Sequence, residues 1–186
     1  KEIADRSDKP ALIVTDSKTV IDTAFRVDAQ KLGIKLDNII LATYVDIRGK
    51  VDKKTGKTER SPLLDKQYSV VVFDEAQNLK NVESKQFKEA ENIKADYRVF
   101  ATATPMDKIQ GATYFMATLH NIPLEKLMDD LGYTIVEKES KSGEIYYVAK
   151  LTEKANSWEE VLDALLRYRD KAIKEGKMIR REYPFY

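Results

Sequence analysis

The chain has 186 residues, of which 42% are hydrophobic, so it can bury a core and is not a disordered polymer. Charged residues are abundant at 34% but nearly cancel to a formal +1, so any nucleic-acid binding has to come from a local patch. The absence of cysteine excludes disulfides and thiolate zinc sites, and no run approaches the about 18 apolar residues of a membrane span.

The length suits one domain or a large fragment of one. No signal-peptide pattern opens the chain, and the first residue is Lys1, which fits a fragment. Lack of cysteine leans towards the cytoplasm, or the nucleus in a eukaryote.

Ala11-Leu12-Ile13-Val14-Thr15 reads as a first buried strand. Ser17 then offers an N-cap, and Val20, Ile21, Ala24, Phe25 and Leu32 recur at helical spacing before Gly33, a C-cap glycine. Ile39 to Tyr44 reads as a second strand, and this strand–helix–strand order predicts a parallel sheet. A polar interruption from Asp46 to Lys66 follows, with Thr55-Gly56 suited to a loop tip or short hairpin.

Val70-Val71-Val72-Phe73 runs straight into Asp74-Glu75. So short an unbroken apolar run predicts a strand buried on both faces, with the two carboxylates at its C-terminal end. Open α/β sheets hold their ligands at such ends. Adjacent acids there suit a metal-nucleotide site, with Asp74 on Mg²⁺ and Glu75 taking a proton from an attacking water.

A helix from about Val82 to Lys94 and a strand from Tyr97 to Ala101 continue the alternation, and Pro105 stops the strand after Thr102-Ala103-Thr104. A helix covers Lys108 to Leu119. Beyond Pro123 come a short amphipathic helix, Leu124 to Leu131, and a β-hairpin of Tyr133–Val136 and Ile145–Val148 about Lys141-Ser142-Gly143. Ser157-Trp158-Glu159-Glu160 is a capping-box pattern, opening a helix with Val161, Leu162, Leu165, Leu166 and Ile173 inward and Gly176 at its end. Met178 to Tyr186 reads as one more strand.

Asp74-Glu75-Ala76-Gln77 resembles motif II, the Walker B box, of superfamily 2 helicases and translocases. Asn78-Leu79-Lys80-Asn81 looks like its continuation in Swi/Snf-type DNA translocases and in the related strawberry-notch and phage antirestriction helicases. Thr102-Ala103-Thr104-Pro105 resembles motif III, and Thr15-Asp16-Ser17-Lys18-Thr19 and Thr43-Tyr44 occupy the places of motifs Ia and Ib. The four motifs stand in the order the family requires.

The resemblance covers roughly residues 10 to 120. It implies a three-layer α/β RecA-like lobe with a mainly parallel sheet, incomplete at its N-terminus, with a hairpin and helix appended near the C-terminus. Residues 1–186 would form one domain, with a motor core over 1–120 and the appended elements over 121–186. The function implied is part of the motor of an ATP-dependent DNA helicase or translocase, with RNA as the alternative substrate. Its partners would be the nucleic-acid backbone and the remaining motor lobe, with no membrane. Asp74 would position Mg²⁺, Glu75 would activate water, and Gln77, Thr102 and Thr104 would couple ATP hydrolysis to strand movement. Ser17, Lys18, Thr43 and Tyr44 would touch the phosphate backbone. A parent protein from a phage or mobile element, with a fused methyltransferase or nuclease, is implied by analogy alone.

One feature of the family is missing from the 186 residues. The Walker A pattern G-x-x-x-x-G-K-[ST] does not occur; Gly56-Lys57-Thr58 imitates its end, but the first glycine would fall on Val51. The second lobe, with its arginine finger, is missing too. Catalysis needs both, so this chain alone is expected to be inactive. Two other readings stand beside the motor: a non-catalytic binding module on a degenerate lobe, and a Mg²⁺-dependent phosphatase-like domain built on the same acids. His120, the only histidine, and Trp158 read as packing residues, and the basic run Lys171, Lys174, Lys177, Arg180 and Arg181 as a solvated helix face.

Overall fold

Four strands build the sheet that carries the acidic pair: β1 (Ala11–Thr15), β2 (Ile39–Thr43), β5 (Gln67–Phe73) and β6 (Lys94–Phe100). The computed structural model describes residues 2–51, 58–79, 84–106 and 108–179. The strand order is β2-β1-β5-β6, and every pairing is parallel. Two compact units result, Lys1–Thr104 and Pro105–Tyr186.

The first unit is an α/β sheet flanked by helices. Leu12, Val14, Val71 and Phe73 are buried on one face and Ala11 and Val70 on the other, as expected for central parallel strands covered on both faces. From β1 the chain steps to β2 in one direction, and from β5 to β6 in the other. Right-handed crossovers therefore place the connecting helices on opposite faces. After α1 (Glu2–Asp5) and β1, the β1–β2 crossover is helical over residues 18–31, as α2 (Lys18–Val20), a wide π turn (Ile21–Phe25) and α3 (Arg26–Lys31). Ser17 caps it through the Val20 amide. Ile21 and Ala29 are its buried residues, whereas Leu32, expected inward, lies just past the last turn and is 71% exposed.

A short helix, α4 (Tyr44–Ile47), follows β2 directly; its first residue, Tyr44, is helical rather than the last of the strand. The polar interruption contains a two-strand hairpin, β3 (Lys50–Val51) with β4 (Thr58–Glu59), and a 3₁₀ turn at Pro62–Asp65. Its expected tip, Thr55-Gly56, lies outside the described residues. The helix expected from Val82 begins, within the described residues, as α5 (Lys85–Glu91), with Ser84 capping the Phe87 amide. Strand β6 starts three residues earlier than its apolar pattern suggests. It is an edge strand, and an edge tolerates charged residues: Asp96 pairs with Lys9, and Arg98 donates to the Ala90, Glu91 and Ile93 carbonyls at the end of α5.

The second unit holds α6 (Ile109–His120), α7 (Leu124–Leu131), the antiparallel hairpin β7 (Tyr133–Glu139) and β8 (Ile145–Leu151), and α8 (Trp158–Lys174). Helix α6, read from the sequence as part of the motor core, belongs to this unit. It buries seven consecutive residues, Gly111 to Ala117, as a helix enclosed on all sides does. Tyr133 donates to the Thr113 hydroxyl, and its ring packs on Trp158 at 5.8 Å between centroids. The His120 side chain is shielded against Tyr168, its Nε2 2.9 Å from that residue's carbonyl oxygen. In α8 the inward stripe is Val161, Leu165 and Ala172; Leu162 and Ile173 lie together on one flank of it, exposed.

The Ser157 hydroxyl caps the Glu160 amide, but Glu160 returns its carboxylate to the Asn156 amide, one residue earlier than a capping box requires. Met178 and Ile179 are not in a strand, and the rest of that expected strand lies outside the described residues. Among the described residues, no helix is long and apolar enough to cross a membrane.

Candidate functional site

The direction of chain travel reverses between β1 and β5, and a parallel sheet opens a crevice beyond its strand ends at such a point. The register pairs Val14 with Phe73, so the next residues, Thr15 and Asp74, reach that crevice together. The Thr15 hydroxyl donates to Oδ2 of Asp74 at 2.9 Å. Thr15 is buried at 1% exposure and Asp74 is half-buried. The amide of Asp74 donates to the Val14 carbonyl, which continues the ladder to the edge of the crevice.

There the backbone turns sharply. Glu75 has φ +51°, in the left-handed region that a glutamate seldom enters, and its side chain is exposed. The Ala76 amide then donates to the Ala101 carbonyl at the end of β6, and a 3₁₀ turn, Ala76–Leu79, carries the chain away. This turn aims Gln77 and Asn78 back at the strand ends. Gln77 donates through Nε2 to Oε2 of Glu75 and accepts at Oε1 from the Thr102 hydroxyl at 2.7 Å. Asn78 donates to Asp16 at 3.4 Å.

The structure thus brings Glu75, Gln77 and Thr102 into one hydrogen-bonded chain, with Asp74 next to it along the backbone and bonded to Thr15. Thr104 is exposed, and its backbone amide donates to the Thr102 hydroxyl at 3.1 Å. Its link to the cluster runs through the main chain.

The expected backbone-contacting residues divide. Lys18 is exposed at the first turn of α2, and Ser17 uses its oxygen as the helix cap. Thr43 is buried, and it forms a reciprocal capping box with Asp46, its hydroxyl donating to Oδ2 at 2.8 Å. Tyr44 is 3% exposed, and its hydroxyl donates to the Asp74 carbonyl at 2.8 Å. Burial, followed by the negative charges of Asp74, Glu75 and Asp16, pushes this phenol well above its ordinary pKa, so it stays protonated and donates. Both hydroxyls thus bond within the fold.

Beneath the site, the rings of Tyr44, Phe73 and Phe100 form a stacked row, with centroids 6.5 and 5.5 Å apart and planes within 16°. It links the ends of β2, β5 and β6. Thr15, Asp16 and Asn78 join the site although sequence reasoning gave them no such role. Thr15 closes its strand as Phe73 closes β5, but the hydroxyl matters only because β1 and β5 are neighbours.

A family model for the SNF2-related domain matches residues 8–167. Among solved structures, the chain is similar to the Sulfolobus solfataricus SWI2/SNF2 ATPase core in complex with dsDNA, with 22% identity and a TM-score of 0.50. The match covers 69% of this chain and 30% of that one, and the likeness is one of fold. No curated protein matches.

Proposed function

Because the chain belongs to the family of SNF2-related domains, we propose that its site is the Walker B part of an ATP-driven motor that moves on DNA. The observation that supports this most is the hydrogen-bonded Glu75-Gln77-Thr102 chain beside Asp74 at the switch point of a parallel sheet. Together these supply a carboxylate suited to a cation, a carboxylate suited to a water, and a hydroxyl on the neighbouring strand end.

Asp74 fits Mg²⁺ by its donor chemistry. Thr15 occupies Oδ2, and among the described residues Oδ1 has no hydrogen-bond partner. Magnesium is commonly held by one or two carboxylates together with substrate phosphates, so a lone aspartate suffices. Bound Mg²⁺ would offset the charge of the ATP phosphates. Glu75 is exposed with one oxygen fixed by Gln77, and the other would take a proton from a water as a general base. Thr102 and Gln77 would transmit the state of that site to the end of β6. Lys18 would meet the DNA phosphate backbone beside the N-terminus of α2. RNA would meet the same groups.

The chain would form part of the first motor lobe, with the Walker A loop and the second lobe supplied from beyond these 186 residues. It would work in the cytoplasm or nucleus, where DNA is found.

The test is Glu75→Gln in the full-length protein carrying this chain. ATP turnover should be abolished while ATP binding is retained. Unchanged turnover would remove Glu75 from the role of base. A full-length protein that binds DNA but turns over no ATP even in wild-type form would instead be a non-catalytic binding module on a motor fold.

A further inference from the structure

We propose that Tyr44 is a positioning residue for Glu75: its hydroxyl pins the Asp74–Glu75 peptide and so holds Glu75 in the left-handed turn that presents its carboxylate. The functional half of this inference rests on the reading of Glu75 as the base.

Among the described residues only Glu75 and Asn121 combine a side chain with positive φ. Asn121 ends α6, and asparagine adopts this conformation readily at a helix C-terminus. Glutamate lacks that ease, and strained backbone of this kind persists only where its surroundings over-determine it. Glu75 joins two peptide planes, and each is fixed from outside. The plane before it is held at the Asp74 carbonyl by the Tyr44 hydroxyl at 2.8 Å. The plane after it is held at the Ala76 amide by the Ala101 carbonyl at 2.9 Å. With both planes fixed, the torsions of Glu75 have little freedom left.

Of these two anchors, Tyr44 is the one made by a side chain. It cannot swing away, because its ring is buried and lies nearly parallel to Phe73. It begins α4 next to Thr43, whose capping box with Asp46 fixes the start of that helix. The turn after β2 thereby sets the backbone at the end of β5, two strands away in the sheet.

Tyr44→Phe keeps the ring and removes the hydroxyl. In the full-length protein, kcat for ATP should fall on the order of tenfold or more through misplacement of the base. KM for ATP should stay within about twofold, as for a group that does not bind the ground state. DNA affinity should be unchanged. Hydrogen exchange at the Ala76 amide should quicken while the amides of β5 keep their protection. In a Glu75→Gly background, where glycine accepts positive φ freely, adding Tyr44→Phe should leave the Ala76 amide as it was.

Wild-type kcat together with wild-type protection at Ala76 would overturn the proposal. So would a uniform loss of protection across the sheet, which would make Tyr44 merely structural, or a change in DNA affinity alone. If Glu75→Gln itself leaves turnover intact, the reading of the base fails, and exchange at Ala76 in the two backgrounds still decides whether Tyr44 holds the turn.

Discussion

Thr15 donates its hydroxyl to Oδ2 of Asp74 across 2.9 Å, and this bond joins the two strand ends that flank the switch point of the sheet. It fixes one oxygen of the carboxylate, and it does so from a residue that solvent scarcely reaches.

Thr15→Val keeps the shape of the side chain and removes the donor. The carboxylate oxygen then loses its partner, and unfolding free energy should fall by about 1–3 kcal/mol. Denaturant titration measures this, and Thr15→Ser should recover most of the loss. A midpoint equal to wild type in the valine variant would mean that Asp74 is held by other means.

Thr102→Val breaks the bond to Gln77 and leaves Asp74 and Glu75 in place. In the full-length protein, basal ATP turnover should persist, while its stimulation by DNA drops several-fold. Thr104→Val should leave both basal turnover and its stimulation unchanged, since Thr104 bonds to the cluster through its backbone amide, which valine keeps. If the two variants behave alike, Gln77 is not the route of coupling.

Lys18 and Thr43 should respond to different measurements. Removing the exposed Lys18 should weaken DNA binding about equally for all sequences and reduce the slope of log affinity against log salt by about one. Thr43→Ala removes a helix cap instead, so it should cost about 1 kcal/mol of stability and leave the salt slope alone. A salt slope that changes only in the Thr43 variant would reverse these assignments.

Gly132 ends α7 at φ +84°, and a Cβ there would come within 2.5 Å of the Ala155 Cβ and 2.8 Å of its backbone nitrogen. Gly132→Ala should therefore lower stability by more than about 1 kcal/mol. Gly33 has φ +64° with nothing within 4 Å of the added carbon, so Gly33→Ala carries only the conformational cost. Thermal unfolding of the two variants should rank them in that order, and equal losses would show that the contact with Ala155 relaxes freely.

Much of the fold was legible because each element announces itself locally. The apolar runs at 11–15, 39–43 and 70–73 are strands, and Ser17 and Ser157 cap helices as short polar residues do. The readings that failed depend on neighbours. Leu162 and Ile173 fit a helical period, but α8 buries a narrower stripe than that period allows. The start of β6 is hidden by Lys94 and Asp96, which an edge strand accommodates and a central one would not.

The site divides in the same way. Two carboxylates at the end of a buried strand can be read directly, because a short apolar run predicts the strand and the next two residues must then stand at its end. Their partners cannot. Tyr44 stands 30 residues from Asp74 and Thr15 stands 59 away, and nothing local in either signals the contact. The sequence by itself determined where the central strands lie and which of them end in reactive groups, because hydrophobic period and capping act over a few residues. Only the tertiary structure decided that β1 lies beside β5 and that the Tyr44 hydroxyl meets the Asp74 carbonyl. Strand order is set by long-range packing, and that packing brought the hydroxyl to the carbonyl.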